Sequence, residues 1–135
     1  MTIRFRVAWL LPLLMASGGE ALAQSQWAMV GRNPDLRFFV DRGTIARQGD
    51  VATMQQLIDY TFAQWVGAKV VMSENSVVEY DCGKRRMRTV AGAAYSEQLM
   101  RGVLVSQDRH PDAEWTAVAA DGLPEQLWRI ACGLD

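Results

Sequence analysis

Ser76-Val-Val-Glu-Tyr80, followed directly by Asp81-Cys82, is a strand-like sequence that ends at a cysteine. Its valines and its tyrosine suit the pleated, half-buried surface of a β-sheet. The other cysteine, Cys132, ends a segment of different character, Leu127-Trp-Arg-Ile-Ala-Cys132. A bond between the two cysteines would fasten that segment to the end of the strand.

The segment before Cys132 has the features of a short helix. Pro124 and Glu125 fall where a helix would begin, and Gly133 lies just past its end. Four apolar side chains share one face at helical spacing: Leu123, Leu127, Ile130 and Ala131. The sequence therefore predicts a C-terminal helix with one apolar face.

The first 23 residues have the three parts of a secretory signal peptide in the usual order. Arg4 and Arg6 precede an apolar run over residues 7–16, and the small-residue triplet Ala21-Leu-Ala23 follows. The alternative, a membrane anchor or buried helix, is disfavoured because the run is about half the ~20 residues that cross a bilayer. Cleavage after Ala23 leaves a domain of residues 24–135 without a transmembrane anchor or a cysteine for lipid attachment.

Export places Cys82 and Cys132 in an oxidising compartment. An even pair of cysteines in a small exported domain predicts one disulfide. The alternative, a zinc site, would lack a fourth ligand even if the single histidine, His110, joined the two cysteines.

Short strand-like sequences alternate with turn-forming residues along the rest of the chain. The strand-like sequences are residues 26–30, 36–40, 76–80 and 88–91, and turns are expected at 41–43, 49–50, 73–76 and 108–112. Residues 51–65 fit either a helix or a strand by their spacing of apolar side chains. The turn residues Gly49-Asp50 just before them slightly favour a hairpin and therefore a strand.

Charge balance and chemistry-bearing residues argue against several functions. The 135 residues carry 14 Lys plus Arg against 15 Asp plus Glu, so the chain lacks the basic excess of a nucleic-acid-binding protein. His110 lies in the polar stretch Asp108-Arg-His-Pro-Asp112, where a solvated imidazole is expected rather than a catalytic base or haem ligand. Asp108, Asp112 and Glu114 lack the regular spacing of a calcium loop. The sequence predicts no enzyme and no cofactor.

Arg86 and Arg88 are one candidate contact with a partner. They belong to the basic run Lys84-Arg-Arg-Met-Arg88 and would share one face of a strand. The alternative interpretation of this run is a solvated face that protects a sheet edge.

Trp65 is the other candidate contact. It stands beside Val66-Gly-Ala68 in a predicted loop, where it is expected to be exposed for binding. The remaining tryptophans outside the signal peptide, Trp27, Trp115 and Trp128, are expected in the core.

Several of these pieces occur in the order found in one family. They are Trp27, Phe39-Val-Asp41, Leu57-Ile-Asp-Tyr60, Glu79-Tyr-Asp-Cys82 with the basic residues after it, Trp115, and the final Cys132 on a helix. In this order the chain resembles the bacterial surface-adhesin protein E-like family. The resemblance implies an α+β fold, in which an antiparallel sheet of about six strands packs with a C-terminal helix and is fastened by the cysteine pair. It also implies that residues 51–65 are a strand.

The same resemblance implies a function. The implied function is that of a non-catalytic exported envelope domain that binds a protein or other partner, such as a host matrix or envelope protein, through its sheet face and loops. Because the lipid-attachment cysteine is missing, a periplasmic or secreted location is expected rather than surface display. A small haem- or metal-binding carrier and a structural periplasmic protein are the alternatives.

The order of charged, apolar and small residues predicts that the exported protein begins at Gln24. N-terminal sequencing of the protein recovered outside the cytoplasm checks this. A chain that still starts at Met1 or Thr2 contradicts it.

Overall fold

The computed structural model describes residues 27–134, and the predicted signal peptide lies outside them. Six strands form one antiparallel sheet: β1 (Trp27–Arg32), β2 (Leu36–Gln48), β3 (Val51–Val66), β4 (Lys69–Asp81), β5 (Arg86–Tyr95) and β6 (Leu104–Arg109). They lie in chain order, so each strand pairs with its sequence neighbours, and the short β7 (Thr116–Ala117) also pairs with β5. A 3₁₀ turn (Gln98–Met100) precedes β6, and helix α1 (Leu123–Ala131) ends the chain. The predicted fold class is confirmed.

The segment of uncertain type, residues 51–65, lies entirely within strand β3. Gln48 pairs with Val51 across the predicted Gly49-Asp50 turn, and Gly49 takes the left-handed conformation, with φ 60°, that a tight hairpin requires. Burial alternates along the first half of β3, as it does in a strand with one face on a core. The hairpin prediction is confirmed.

Two of the expected turns lie inside strands instead. Residues 73–76 are in the middle of β4, where Ser73 is fully buried and the Asn75 amide donates to the Gln56 carbonyl of β3 at 3.3 Å. Residues 41–43 form an irregularity within β2, where Asp41 accepts from the Gly43 N–H at 2.9 Å. At both places the polar side chains form hydrogen bonds with nearby backbone groups. The strands therefore continue through these residues.

Helix α1 packs against one end of the sheet. Pro124 stands in its first turn, and Gly133 follows its end with φ 68°. The helix buries Leu127, Trp128, Ile130 and Ala131 in one cluster with Val40, Ala52, Met54, Val78 and Tyr80 of the sheet. Burial of each large apolar side chain contributes roughly 1.5–3 kcal/mol to folding. The predicted helix and its apolar face are confirmed.

Cys82 and Cys132 form the predicted disulfide, and their Cα atoms lie 5.7 Å apart. Cys82 directly follows β4, and Cys132 directly follows α1. The bond therefore joins the end of the helix to the end of the central strand on which it packs.

The predicted positions of the tryptophans need correction. Among the four in the described part of the chain, Trp128 is buried, whereas Trp27 and Trp115 are half-buried. Trp27 lies on edge strand β1, and arginine side chains cover part of Trp115 at the surface. Trp65 is exposed as expected, but it lies in β3 rather than in a loop, because residues 64–66 still pair with residues 69–71 of β4.

Replacing Cys132 with Ser should lower the free energy of unfolding by about 4 kcal/mol, because the disulfide closes a long loop in the unfolded chain. Urea unfolding of the variant and of the oxidised wild type measures the difference. Wild type kept reduced is the matched control and should behave like the variant. Equal stability of the variant and the oxidised wild type contradicts the prediction.

Candidate functional site

The three side chains predicted to contact a partner lie at two opposite ends of the β3–β4 pair. Val51 of β3 pairs with Asp81 at one end, and Val66 pairs with Lys69 at the other. Arg86 pairs with Asp81 and so belongs to the first end, whereas Trp65 stands one residue from the second. The structure does not bring these side chains together.

Arg86 and Arg88 share a face of β5, as predicted, and both lie over the ring of Trp115. Their guanidinium carbons are 5.2 and 4.4 Å from its centroid. Each also has a carboxylate partner: Arg86 bonds Asp81 at 2.8 Å, and Arg88 bonds Glu79 at 2.9 Å. These contacts neutralise both positive charges and hold Trp115 against the sheet.

Arg85, which directly precedes β5 in the basic run, is also paired within the molecule. It bonds Glu125 of α1 at 2.7 Å and lies 4.9 Å from the ring centroid of Trp128. Its backbone is left-handed, with φ 49°. The run that looked like a basic patch in the sequence therefore fastens α1 and Trp115 to the sheet.

Asp81 organises the turn after β4. Its carboxylate accepts from Arg86 and from the backbone N–H groups of Gly83 and Lys84, at 2.8, 3.1 and 2.9 Å. These bonds hold the pKa of the Asp81 carboxyl below its ordinary value, and the bond from Arg86 has the largest effect. Its carbonyl accepts from the indole N–H of Trp128 at 3.0 Å, so the same residue also positions α1.

At the opposite end of the sheet, large apolar side chains are exposed. We call this surface the apolar end. It consists of Phe62, Trp65, Val66, Val103 and Leu104, with exposed fractions of 63%, 67%, 53%, 70% and 48%. Trp65 pairs with Val70, and Val70 lines a shallow cavity of about 280 Å³ together with Val103 and Leu104. The β3–β4 hairpin and the start of β6 therefore contribute to one surface.

A buried polar network fixes the segment before β6. Asp59, fully buried and ion-paired with Arg37, accepts from the Leu99 N–H at 2.8 Å. Ser73 accepts from the Met100 N–H at 3.0 Å and donates to the Glu97 carbonyl at 2.7 Å. These bonds hold Leu99 and Met100 in the left-handed conformation, at φ 56° and 59°, which is costly for residues with a side chain.

Gly102 completes this segment with φ 79°. A Cβ atom there would come within 2.3 Å of Ser96 Oγ, which accepts from the Val103 N–H at 2.8 Å. Only glycine allows this close approach. The apolar side chains of Val103 and Leu104 are therefore presented on a fixed backbone.

His110 follows β6 and is exposed, as expected. Its Nε2 lies 2.8 Å from a carboxylate oxygen of Asp108, which is also exposed. Asp108 and Arg109, predicted as part of a turn, belong to β6 because they pair with Gly92 and Ala91 of β5. Within residues 27–134, no three His, Cys, Asp or Glu side chains come together where they could hold a metal ion.

Only Trp65 of the apolar end was predicted from the sequence. Its other four members were not: Phe62, Val66, Val103 and Leu104. A signal for two of them was present, because Phe62 and Val66 stand with Trp65 just before the turn glycine Gly67, and Gln64 is the one polar residue between Phe62 and that glycine. Val103 and Leu104 carried no comparable signal, since their exposure depends on what lies beside them in the fold.

A single antiparallel sheet fastened by a disulfide to a C-terminal helix is the architecture that the resemblance of the sequence implies. A family model described as Surface-adhesin protein E matches residues 27–133. The chain belongs to this family, which confirms the resemblance of the sequence. In the described part of the chain, no helix has the length and apolar character to cross a bilayer.

Solved structures of Haemophilus influenzae protein E share the fold. Crystal form II matches with a TM-score of 0.65 and 12% identity over 82% of this chain and 89% of that chain. A structure of the protein from non-typeable Haemophilus influenzae matches with a TM-score of 0.57 and 11% identity, over 82% of this chain and 86% of that chain. No curated protein sequence matches the chain.

The stability of the fold should fall at acidic pH as Asp81 is protonated. Because its pKa is lowered in the folded state, its stabilising effect is complete above the ordinary value of 3.8. It is lost as the pH falls from there through the lowered pKa. Asp81→Asn keeps the oxygen facing Gly83 and Lys84 but removes the charge facing Arg86, so its stability should depend less steeply on pH. Urea midpoints across the acidic range measure this, and equal pH dependence in both proteins contradicts it.

Proposed function

We propose that this chain is an exported, non-catalytic domain that binds another protein through its apolar end. The observation that carries the proposal is the exposure of five large apolar side chains at one end of the sheet, two of them aromatic. Exposed apolar patches on a small domain commonly mark interaction sites, and tryptophan often supplies much of the binding energy. Membership in a family of surface adhesins supports the same function.

The fixed backbone beneath the apolar end supports binding without rearrangement. Buried Asp59 and Ser73 hold the segment that leads to Val103, and the hairpin around Gly67 pairs Trp65 and Val66 with Val70 and Lys69. A surface that is ordered before binding loses little conformational entropy when a partner arrives.

Arg86 and Arg88 remain proposed as a secondary contact. Each is partly exposed, with 36% and 22% of its side chain accessible, but each already has a carboxylate partner. An anionic partner would have to compete with Asp81 and Glu79, so we assign the main contact to the apolar end.

The exported location supports a partner outside the cytoplasm. The signal-peptide sequence at residues 1–23 and the disulfide both fit an oxidising compartment. We propose that the domain begins at Gln24, acts in the periplasm or after secretion, and meets an envelope or host matrix protein there.

We propose no catalytic role for His110. Its side chain is exposed and its side-chain partner is one surface carboxylate, without a nucleophile at hydrogen-bond distance among the described residues. The alternative of a haem carrier is tested by adding haem to the oxidised protein. A Soret band that shifts and is lost in His110→Ala favours the carrier over the binding domain.

Replacing Phe62 and Trp65 together with Ser should reduce binding to partner proteins at least about tenfold, because it removes two exposed anchors without altering the core. Binding of the exported protein to immobilised matrix proteins and to an envelope extract is measured with each variant. Met29→Ser is the matched control, since Met29 is also exposed, at 51%, but lies on β1.

The Arg86→Ser, Arg88→Ser double variant is measured in parallel and should bind more weakly than wild type, but more strongly than the Phe62, Trp65 variant. Binding that survives the loss of Phe62 and Trp65 but disappears with the two arginines would move the site to the other end of the sheet. Equal binding by all variants would reject both surfaces.

A further inference from the structure

The two edges of the sheet are protected to different extents. At one edge, β1 has an irregularity between Met29 and Gly31, and a side chain of α1 reaches it: the Gln126 amide donates to the Val30 carbonyl at 3.4 Å. At the other edge, no strand among residues 27–134 pairs with the outer side of β6. Bulges and covering helices are the usual means by which proteins prevent further strands from joining a sheet.

The backbone groups on the outer side of β6 can be assigned from its pairing with β5. The His110 N–H donates to the Val90 carbonyl at 2.8 Å, so His110 directs its backbone groups inward. Directions alternate along an antiparallel strand, and Gln107 and Arg109 therefore direct their N–H and C=O groups outward. β6 contains no proline, and its irregularity at Val105 leaves residues 106–109 in regular register.

Shallow cavities lie at both ends of β6. Leu104 and Val105 line the cavity of about 280 Å³ beside the apolar end. Arg109 and Pro111 line another of about 320 Å³, which extends over the sheet face to Val77 and Glu79 of β4. An open backbone edge, whose strand also borders cavities on the sheet face that a side chain of an added strand can reach, is the arrangement that binds extended peptides by strand addition.

We propose that the partner supplies an extended segment that pairs with the outer edge of β6 and continues the sheet by one strand. The proposal rests on the proposed function and specifies the chemistry of the partner. The segment bonds the backbone groups of Gln107 and Arg109, and an apolar side chain near one of its ends enters the cavity beside Leu104.

A second copy of this chain fits the edge less well than such a segment. If two β6 strands paired antiparallel about a two-fold axis, Leu104 of each copy would face the Arg109 end of the other. The apolar cavity would then meet a charged side chain and an exposed imidazole. An extended segment with an apolar residue opposite Leu104 would bond the outward backbone groups of β6 and also fill the apolar cavity.

Proline substitution at Gln107 tests strand addition. Random peptides displayed on phage, each long enough to span β6, are selected on the oxidised exported chain, and the tightest binder is synthesised with a fluorescent label. Gln107→Pro should weaken its binding about tenfold or more, because proline removes an outward N–H without removing a bond to β5. Gln107→Ala is the matched control and should bind within about twofold of wild type, because it keeps the N–H.

Amide hydrogen exchange of the wild type gives a second readout, which does not depend on how the proline variant folds. The amides of Gln107 and Arg109 should exchange more slowly when the peptide is bound. Absence of this protection overturns strand addition, as does unchanged binding by a folded Gln107→Pro variant or a selection that yields no peptide dependent on the Gln107 amide.

The Phe62→Ser, Trp65→Ser variant separates this proposal from the proposed function. Loss of peptide binding in that variant, with full binding by Gln107→Pro, retains the apolar end as the site but rejects strand addition. Full binding by both variants rejects both. Sedimentation of the free chain as a dimer, with the Gln107 and Arg109 amides already protected, assigns the edge to a second copy and also overturns the proposal.

Discussion

The contact between Asp81-Cys82 and the C-terminal helix is the constraint on which the rest of the structure depends. Helix α1 has nine residues, which is too short for a stable helix in water without tertiary contacts. The sheet supplies these contacts in one place: the Asp81 carbonyl accepts from Trp128, and Cys82 holds Cys132 covalently. Because the helix is fastened there, the apolar side chains of the first half of β3 and the second half of β4 are covered.

A helix of this length cannot also cover the other halves of these strands, which need a different kind of support. There the structure uses a polar network in which buried Asp59 and Ser73 bond the backbone of the 3₁₀ turn. An unpaired buried carboxylate would be very costly, and the ion pair with Arg37 together with the Leu99 N–H satisfies Asp59. Beyond this network nothing among the described residues covers Phe62 and Trp65, and the apolar end is the result.

The parts of the fold that could be predicted from the sequence are those fixed by local chemistry or by the cysteine pair. Pro124 and Gly133 bound the helix, Gly49 forms the hairpin turn, and the two cysteines pair with each other. Residues 73–76 were misassigned because their polar side chains suggested a local turn, whereas the partners of Ser73 lie at Glu97 and Met100. Trp65 could be identified as exposed, but Val103 could not, because its exposure depends on distant elements that fail to cover it.

The basic run demonstrates why charge density in a sequence is a poor guide to a binding surface. Arg85, Arg86 and Arg88 find carboxylates on α1 and β4, and their guanidinium groups lie over Trp128 and Trp115. Each pair is partly exposed and adds little by itself, but the network fixes the helix and Trp115 in relation to β5. The charged end of the sheet thus has its own partners within the molecule. The exposed apolar side chains lie at the other end of the sheet, where β6 begins at Leu104 and has no strand paired with its outer side among the described residues.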